Sequence, residues 1–208
     1  KDLKAQYRGG SCSADVAIDY KQEQFDVSGR MLGVDLNRMN SEFKGTADID
    51  ISGRGRFEQD PIALTFRTGD VNFYEDQSFR VKGEGKIITN FSDHYYLDTW
   101  GDIIHKDSSS PVSLRLNQVN GRYDGRFHGN ITDINFLIPW GNNQGEITVD
   151  GRIFNRSDQE MGVEGYAVFK GKYLSFPNFP HTIDNFQGDL LFNDLHFILR
   201  SLQGTLGD

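Results

Sequence analysis

Apolar side chains recur at every second position from one end of the chain to the other, the period of a β-strand with one buried and one wet face. The pattern runs through Ala14, Val16 and Ile18, then Phe25 and Val27, then Ala47, Ile49 and Ile51. It resumes at Ile62, Leu64 and Phe66, at Phe79 and Val81, at Tyr95 and Leu97, and at Val112, Leu114 and Leu116. Phe127 and Ile131 follow, then Ile147, Val149 and Ile153, Val163 and Phe169, Phe186, Leu190 and Phe192, and finally Leu195, Phe197 and Leu199. Gly, Asn, Asp or Pro punctuates each run, so the segments read as strands joined by turns. Only "GVDLNRMNSEF" breaks the rhythm, where Leu36 and Met39 at i, i+3 predict a single helical turn. "SDHYYLDTWGDIIHKDSSSP" and "GKYLSFPNFPHTIDN" read as loop-edged regions.

Glycine interrupts this alternation on the apolar side. A loose repeat, apolar-x-Gly-x-(apolar or Gly), places Gly45, Gly83, Gly129, Gly165, Gly188 and Gly204 among the inward positions. A packed core wants a side chain there, so the inner wall is notched at intervals, either to bend the sheet or to leave its interior unfilled. Repetition of one supersecondary unit marks a quasi-one-dimensional stack. The expected fold is all-β: an elongated, curled sheet forming an open trough with an apolar inner face and minimal helix, continuous over residues 1–208.

Composition agrees with a folded β chain, since 37% hydrophobic residues, 16 Phe and 23 Gly in 208 residues leave little room for disorder or long helices. The net charge of −8, with 22 scattered Lys and Arg, excludes a nucleic-acid backbone and disfavours an anionic membrane surface. No apolar run approaches the roughly 20 residues of a spanning helix, and no signal-peptide layout opens the chain. Because it begins at Lys1 without methionine, the chain is expected to be a piece of a longer protein. Cys12 is the single cysteine, which forbids an internal disulfide and reads as a small strand residue.

Catalytic and metal signatures are missing. His94, His105, His128, His181 and His196 stand alone in sequence, and Asp48 and Asp50 flank the apolar Ile49 and Ile51 on the opposite face. No nucleophile elbow, phosphate loop or dinucleotide fingerprint appears, and "NFSDHYYLD" lacks the ligand spacing of a calcium loop. Asn90, Asn130 and Asn155 head Asn-x-Ser/Thr triplets that chance explains in such a sequence. Trp100 and Trp140 read as turn-capping aromatics. The expectation is a protein that is not an enzyme and uses no cofactor, metal or nucleotide.

The segment "GYAVFKGKYLSFPNFPHTIDNFQGDLLFNDLHFILRSLQGTLGD" resembles the TamB family, part of the AsmA-like group of diderm-bacterial envelope proteins. The matching positions are Ile183, Asn185 and Gly188, then Phe192, Phe197 and Leu199, then Gly204 and Gly207. "VSGRMLGVDLNRMNSEFKGTADIDISGRG" is similar to an AsmA-type passage, whereas the stretch from Tyr95 to Pro111 departs from the pattern. The resemblance implies a β-taco-like groove in the periplasm, an inner-membrane anchor outside this segment, and an Omp85-type (TamA-like) outer-membrane barrel as partner. It also implies a role in lipid transport, outer-membrane biogenesis, and protein secretion through a translocation and assembly module.

Together these readings predict a lipid conduit that shields phospholipid acyl chains between the inner and outer membranes. The expected groove is lined by Ala47, Ile49, Ile51, Leu64, Phe66, Val81, Leu114, Leu116, Phe127, Ile131, Ile147, Val149, Ile153, Phe169, Phe186, Leu190, Phe192, Phe197 and Leu199. Gly45, Gly83, Gly129, Gly165, Gly188 and Gly204 are expected to thin its wall, with lipid tails filling the space over Gly188. The alternatives are an extracellular β-sandwich binding carbohydrate or protein, a chaperone-like groove for outer-membrane proteins, and a piece of an outer-membrane barrel, which needs longer uninterrupted strands.

Overall fold

Each alternating run forms a strand, and nearly every strand pairs antiparallel with the next one in sequence. The structure, a computed structural model, describes the chain apart from residues 1, 8–9, 39–45, 57–58, 69–70, 73–78, 90–93, 137–142, 157–159, 176–177, 179, 195 and 208. The strands are β1 (Asp2–Tyr7), β2 (Gly10–Asp19), β3 (Gln24–Asp35), β4 (Thr46–Arg56), β5 (Gln59–Thr68), β6 (Val71–Asn72) and β7 (Phe79–Thr89). They continue with β8 (His94–His105), β9 (Ser108–Val119), β10 (Arg122–Ile131), β11 (Gln144–Asn155), β12 (Met161–Leu174), β13 (Ile183–Asn193) and β14 (His196–Leu206).

All belong to one sheet, in sequence order except that β5 pairs with β7 and the short β6 adds to β7 from the side. Strands β1 and β14 are its free edges, so no barrel closes, and no second sheet lies across it among the described residues. Within the described residues the architecture is therefore not a two-sheet sandwich. The expected curl is corrected as well: the sheet is open and uncurled. The open trough with one apolar face stands.

Local sequence explains the turns. Asn120 and Gly121 both take positive φ, 51° and 74°, joining β9 to β10 by the two-residue turn that Asn-Gly favours. Lys106, at φ 52°, opens the equally tight turn from β8 to β9. The loop-edged reading of residues 92–111 therefore fails over most of its length, because Tyr95, Leu97, Thr99, Gly101 and Ile103 keep the two-residue period and build β8. The "GKYLSFPNFPHTIDN" stretch does leave the sheet between β12 and β13. The predicted helical turn is a 3-10 turn at Leu36–Arg38. A second one, at Ile134–Phe136, has no sign in the alternation.

That second turn positions the core. Ile134, 1% exposed, packs with Ile131, Ile147, Ala167, Phe169, Leu174 and Phe186, so the 3-10 turn that follows β10 sits over one end of the apolar face. On the other face, ion pairs cross from strand to strand: Arg30–Asp50, Arg54–Asp26, Arg67–Glu84, Arg115–Asp98 and Arg152–Glu164. Exposed pairs of this kind contribute little stability each, but they identify the wet side. Asp50 lies there as expected, and Asp48 accepts a hydrogen bond from the Gly33 amide.

Candidate functional site

Residues directly opposite in neighbouring strands share a face, so the register sorts the apolar positions into rows across the sheet. One row runs Phe66, Gly85, Thr99, Leu114, Phe127, Gly151, Gly165 and Phe192. The next runs Gly83, Gly101, Val112, Gly129, Val149, Ala167 and Leu190, and beyond it lie Val81, Ile103 and Ser110 on β7 to β9 and Ile131, Ile147, Phe169 and Gly188 on β10 to β13. The first row mixes phenylalanine with glycine, whereas the third is bulky except at Ser110 and Gly188. The middle row is small over its β7–β10 half, with Val112 its largest member there.

Where a phenylalanine faces a glycine, its ring leans over the bare backbone. A Cβ on Gly188 would lie 2.5 Å from the Phe169 ring, and one on Gly165 would lie 2.5 Å from that of Phe192. Phe66 covers Gly85 in the same way, Phe127 covers Gly151, and Phe186 covers both Gly145 and Gly171. These rings fill most of the notches with protein. The middle row differs. A Cβ on Gly83 would meet only the backbone of Trp100 and Gly101, and one on Gly129 would touch Val112 Cγ1 at 3.3 Å and Ile131 Cδ1 at 3.9 Å. No ring covers either position.

The uncovered row is the floor of a cavity of about 710 Å³, walled by Phe66, Leu114, Phe127 and Ile153 on one side and by Val81, Ile103 and Ile131 on the other. Its size falls within the roughly 300–1,000 Å³ of small-molecule sites. Its walls come from β5 and β7 to β11, and almost nothing polar faces into it; Thr68 spends its hydroxyl on the Gly83 backbone.

One flank of the trough is closed by the β10–β11 crossing, which polar contacts hold in place. Asn135 Nδ2 donates to Asp133 Oδ1 (2.9 Å) and to the Asn143 carbonyl (2.6 Å), while the Asn143 and Ser175 amides donate to Asn135 Oδ1 and Asn143 Oδ1. His105 Nδ1 at the end of β8 lies 3.0 Å from Asp133 Oδ2. Burial opposes ionisation of Asp133, but hydrogen bonds from the Asn135 side chain and amide and from His105 outweigh it and hold the carboxyl below its ordinary range.

All nineteen apolar residues expected in the groove lie on this one face, but they have three different environments. Leu64, Phe66, Val81, Leu114, Leu116, Phe127, Val149, Ile153, Leu190 and Phe192, with Ile49 and Ile51, keep part of their surface open. Ala47, Ile131, Ile147, Phe169 and Phe186 are buried by protein, and their assignment as open lining is corrected: Ile134 or neighbouring rings already cover most of them. Phe197 and Leu199 sit on the free edge and are exposed.

Among the glycines, half-buried Gly83 and buried Gly129 line the cavity floor with no ring over them. Gly165 and Gly188 are roofed by aromatic rings, so the expectation that lipid fills the space over Gly188 is wrong: Phe169 fills it. Gly204 lies on the edge strand under Ile183 Cγ2. Gly45 and Trp140 lie outside the described residues. Gly101, Val112 and Ile103 complete the cavity and were missed, although counting by twos from Leu97 reaches Thr99, Gly101 and Ile103.

The opposite face carries its own arrangements. Trp100 is not in a turn; it stands mid-strand on β8, half exposed, with Nε1 donating to Glu84 Oε1 at 3.0 Å. Ser113, His128 and Asp150 face one another across β9, β10 and β11, and His128 Nδ1 lies 2.8 Å from Asp150 Oδ1. This order matches a nucleophile, base and orienting acid, but the surrounding backbone amides pair within the ladder, which leaves no donor pair for an oxyanion. Cys12 lies within β2 opposite Met31 and packs as a small side chain.

Compared with protein-family models, curated proteins and solved structures, the chain matches none.

Proposed function

We propose that this chain is a segment of a non-enzymatic lipid conduit, in which the apolar trough shelters phospholipid acyl chains as they pass between two membranes. The observation that carries this reading is the cavity above Gly83, Gly101 and Gly129: an apolar hollow that the protein's own rings leave open while they roof the neighbouring glycines. Each methylene removed from water contributes about 0.8 kcal/mol, so a lipid with some 30 methylenes faces a barrier of about 24 kcal/mol if it crosses water bare. A trough that runs across successive strands removes most of that barrier without a nucleotide or a catalytic group.

The TamB-like pattern supports a periplasmic setting, an inner-membrane anchor elsewhere in the protein and an Omp85-type barrel at the far end, in the service of outer-membrane biogenesis. A second reading, a groove that chaperones outer-membrane strands, is supported by the exposed apolar side chains of Phe197, Ile198 and Leu199 on β14.

The test is site-specific photocrosslinking in cells. A photoreactive side chain at Leu114 or Ile153 crosslinks to phospholipid, and one at Thr148 or Arg115 on the opposite face does not. Crosslinks from Leu114 to protein alone sink the conduit and favour the chaperone.

A further inference from the structure

The wet face pairs many of its charges across neighbouring strands, and the pattern breaks at Arg126. Across one row, Lys86 on β7 faces Asp98 on β8, which faces Arg115 on β9, but Arg115 then faces Arg126 on β10, Arg126 faces Arg152 on β11, and Arg152 faces Glu164 on β12. The flanking arginines are neutralised, Arg115 by Asp98 at 3.2 Å and Arg152 by Glu164 at 2.7 Å. The central Arg126 is exposed and its guanidinium has no partner among the described residues. Like charges placed directly opposite are destabilising. The position where alternation calls for a carboxylate therefore presents a free cation, on a chain of net charge −8.

Arg126 lies in a shallow hollow of about 1,060 Å³ that extends across β8 to β14. Toward β14 its floor becomes apolar: Tyr166, Leu191 and Ile198 face one another on adjacent strands, exposed by 49%, 40% and 62%, with Val168 beside them at 47%. An apolar patch on the polar side of a sheet marks an interaction surface.

We propose that this hollow docks an extended segment of a partner protein that places a carboxylate on Arg126 and apolar side chains on the Tyr166–Leu191–Ile198 patch. Strands are roughly 4.8 Å apart, so Leu191 and Ile198 lie about 14–20 Å from the Arg126 position. An extended chain covers that distance in about five residues. The acid and the apolar pair are therefore separated by about five positions in the partner. Arg126 supplies a planar, bidentate contact suited to a carboxylate, and the apolar end gives a peptide more to bind than a free phosphate or a sugar has. The site is on the face opposite the trough and does not rest on lipid transport.

A phage-displayed dodecapeptide library selected on the folded chain tests the proposal, followed by titration of the enriched sequence as a synthetic peptide. The expected result is a shared acidic residue about five positions from an apolar pair, with affinity lowered roughly tenfold or more by Arg126→Glu and by Ile198→Asp. Both positions are solvent-exposed, and Arg126→Gln with Ile198→Ser repeats the measurement should either variant unfold. Enrichment without an acid, or binding indifferent to both substitutions, overturns the proposal. So does binding of inorganic phosphate or of phosphatidylglycerol vesicles that needs Arg126 while no peptide binds. Lipid crosslinking at Leu114 stays unchanged in Arg126→Glu, which separates this test from that of the conduit.

Discussion

Phe169 on β12 lies over Gly188 on β13, its partner in the register, so that a methyl on the glycine would meet the ring and the Ser201 carbonyl, both at 2.5 Å. Glycine weakens a strand because it offers no side chain to pack, and a neighbouring ring restores that packing from across the ladder. The same pairing joins Phe192 to Gly165, Phe127 to Gly151 and Phe66 to Gly85. Phe25 at Gly55 and Phe154 at Gly162 repeat the contact.

Gly188→Ala therefore destabilises the sheet by about 1–3 kcal/mol, because neither a backbone carbonyl nor a core ring yields without strain. In a chain of this length, each kcal/mol lowers the thermal midpoint by about 2–4 °C. Phe169→Ala costs about 3–5 kcal/mol through the cavity it leaves. The exchange Phe169→Gly with Gly188→Phe recovers part of the loss. A neutral Gly188→Ala in a melting experiment removes the ring-over-glycine account.

The strands were legible because one face is apolar and the other wet: Ile49 and Ile51 against Asp48 and Asp50 reveal the period without any knowledge of neighbours. Which glycine is roofed was not legible, because the roof comes from another strand. Gly188 and Gly129 stand in the same local pattern, yet the register sets Phe169 opposite one and Val112 and Val149 opposite the other. Ile134 was hidden for the same reason. Its burial depends on a 3-10 turn that packs against β11, an event with no period in sequence.

Filling the open floor should block the trough without unfolding it. In Gly129→Leu the new Cβ meets only Val112 and Ile131 side-chain atoms at 3.3 and 3.9 Å, and the branch extends into the 710 Å³ cavity. Thermal stability stays within about 1–2 kcal/mol of the parent, while lipid crosslinking at Leu114 and Ile153 falls severalfold. Undiminished crosslinking in a folded Gly129→Leu protein places the lipid elsewhere on the chain.

Acid should loosen the closed flank. Asp133 has a lowered pKa in the folded chain, so its contribution is fully present above the ordinary carboxylate pKa of about 4 and disappears as pH falls through the lower folded value. Protonation weakens the contacts with Asn135 and His105 that tether the β10–β11 crossing. Amide exchange within Thr132–Asn135 rises below about pH 4. Asp133→Asn shows the raised exchange already at neutral pH, with no further acid step from this site. Exchange unaffected by either change means that Ile134 holds the crossing without polar help.

The free edge at β14 makes the last prediction. Phe197 and Leu199 on the trough face and Ile198 on the wet face are all more than half exposed, and among the described residues no strand pairs with the outward side of this eleven-residue strand. Such an edge is a template for another strand unless charge or proline guards it, and Arg200 is the only Lys or Arg within β14. The chain of residues 1–208 should therefore self-associate as its concentration rises, seen as a growing sedimentation coefficient. Phe197→Lys with Leu199→Lys leaves β13 and the core intact, because both side chains already face solvent, and abolishes the association by setting like charges against an incoming strand. If the doubly charged chain associates as strongly as the parent, the contact is not at β14. The outer patch around Tyr166, Val168 and Leu191 is then the surface to test, by Leu191→Asp.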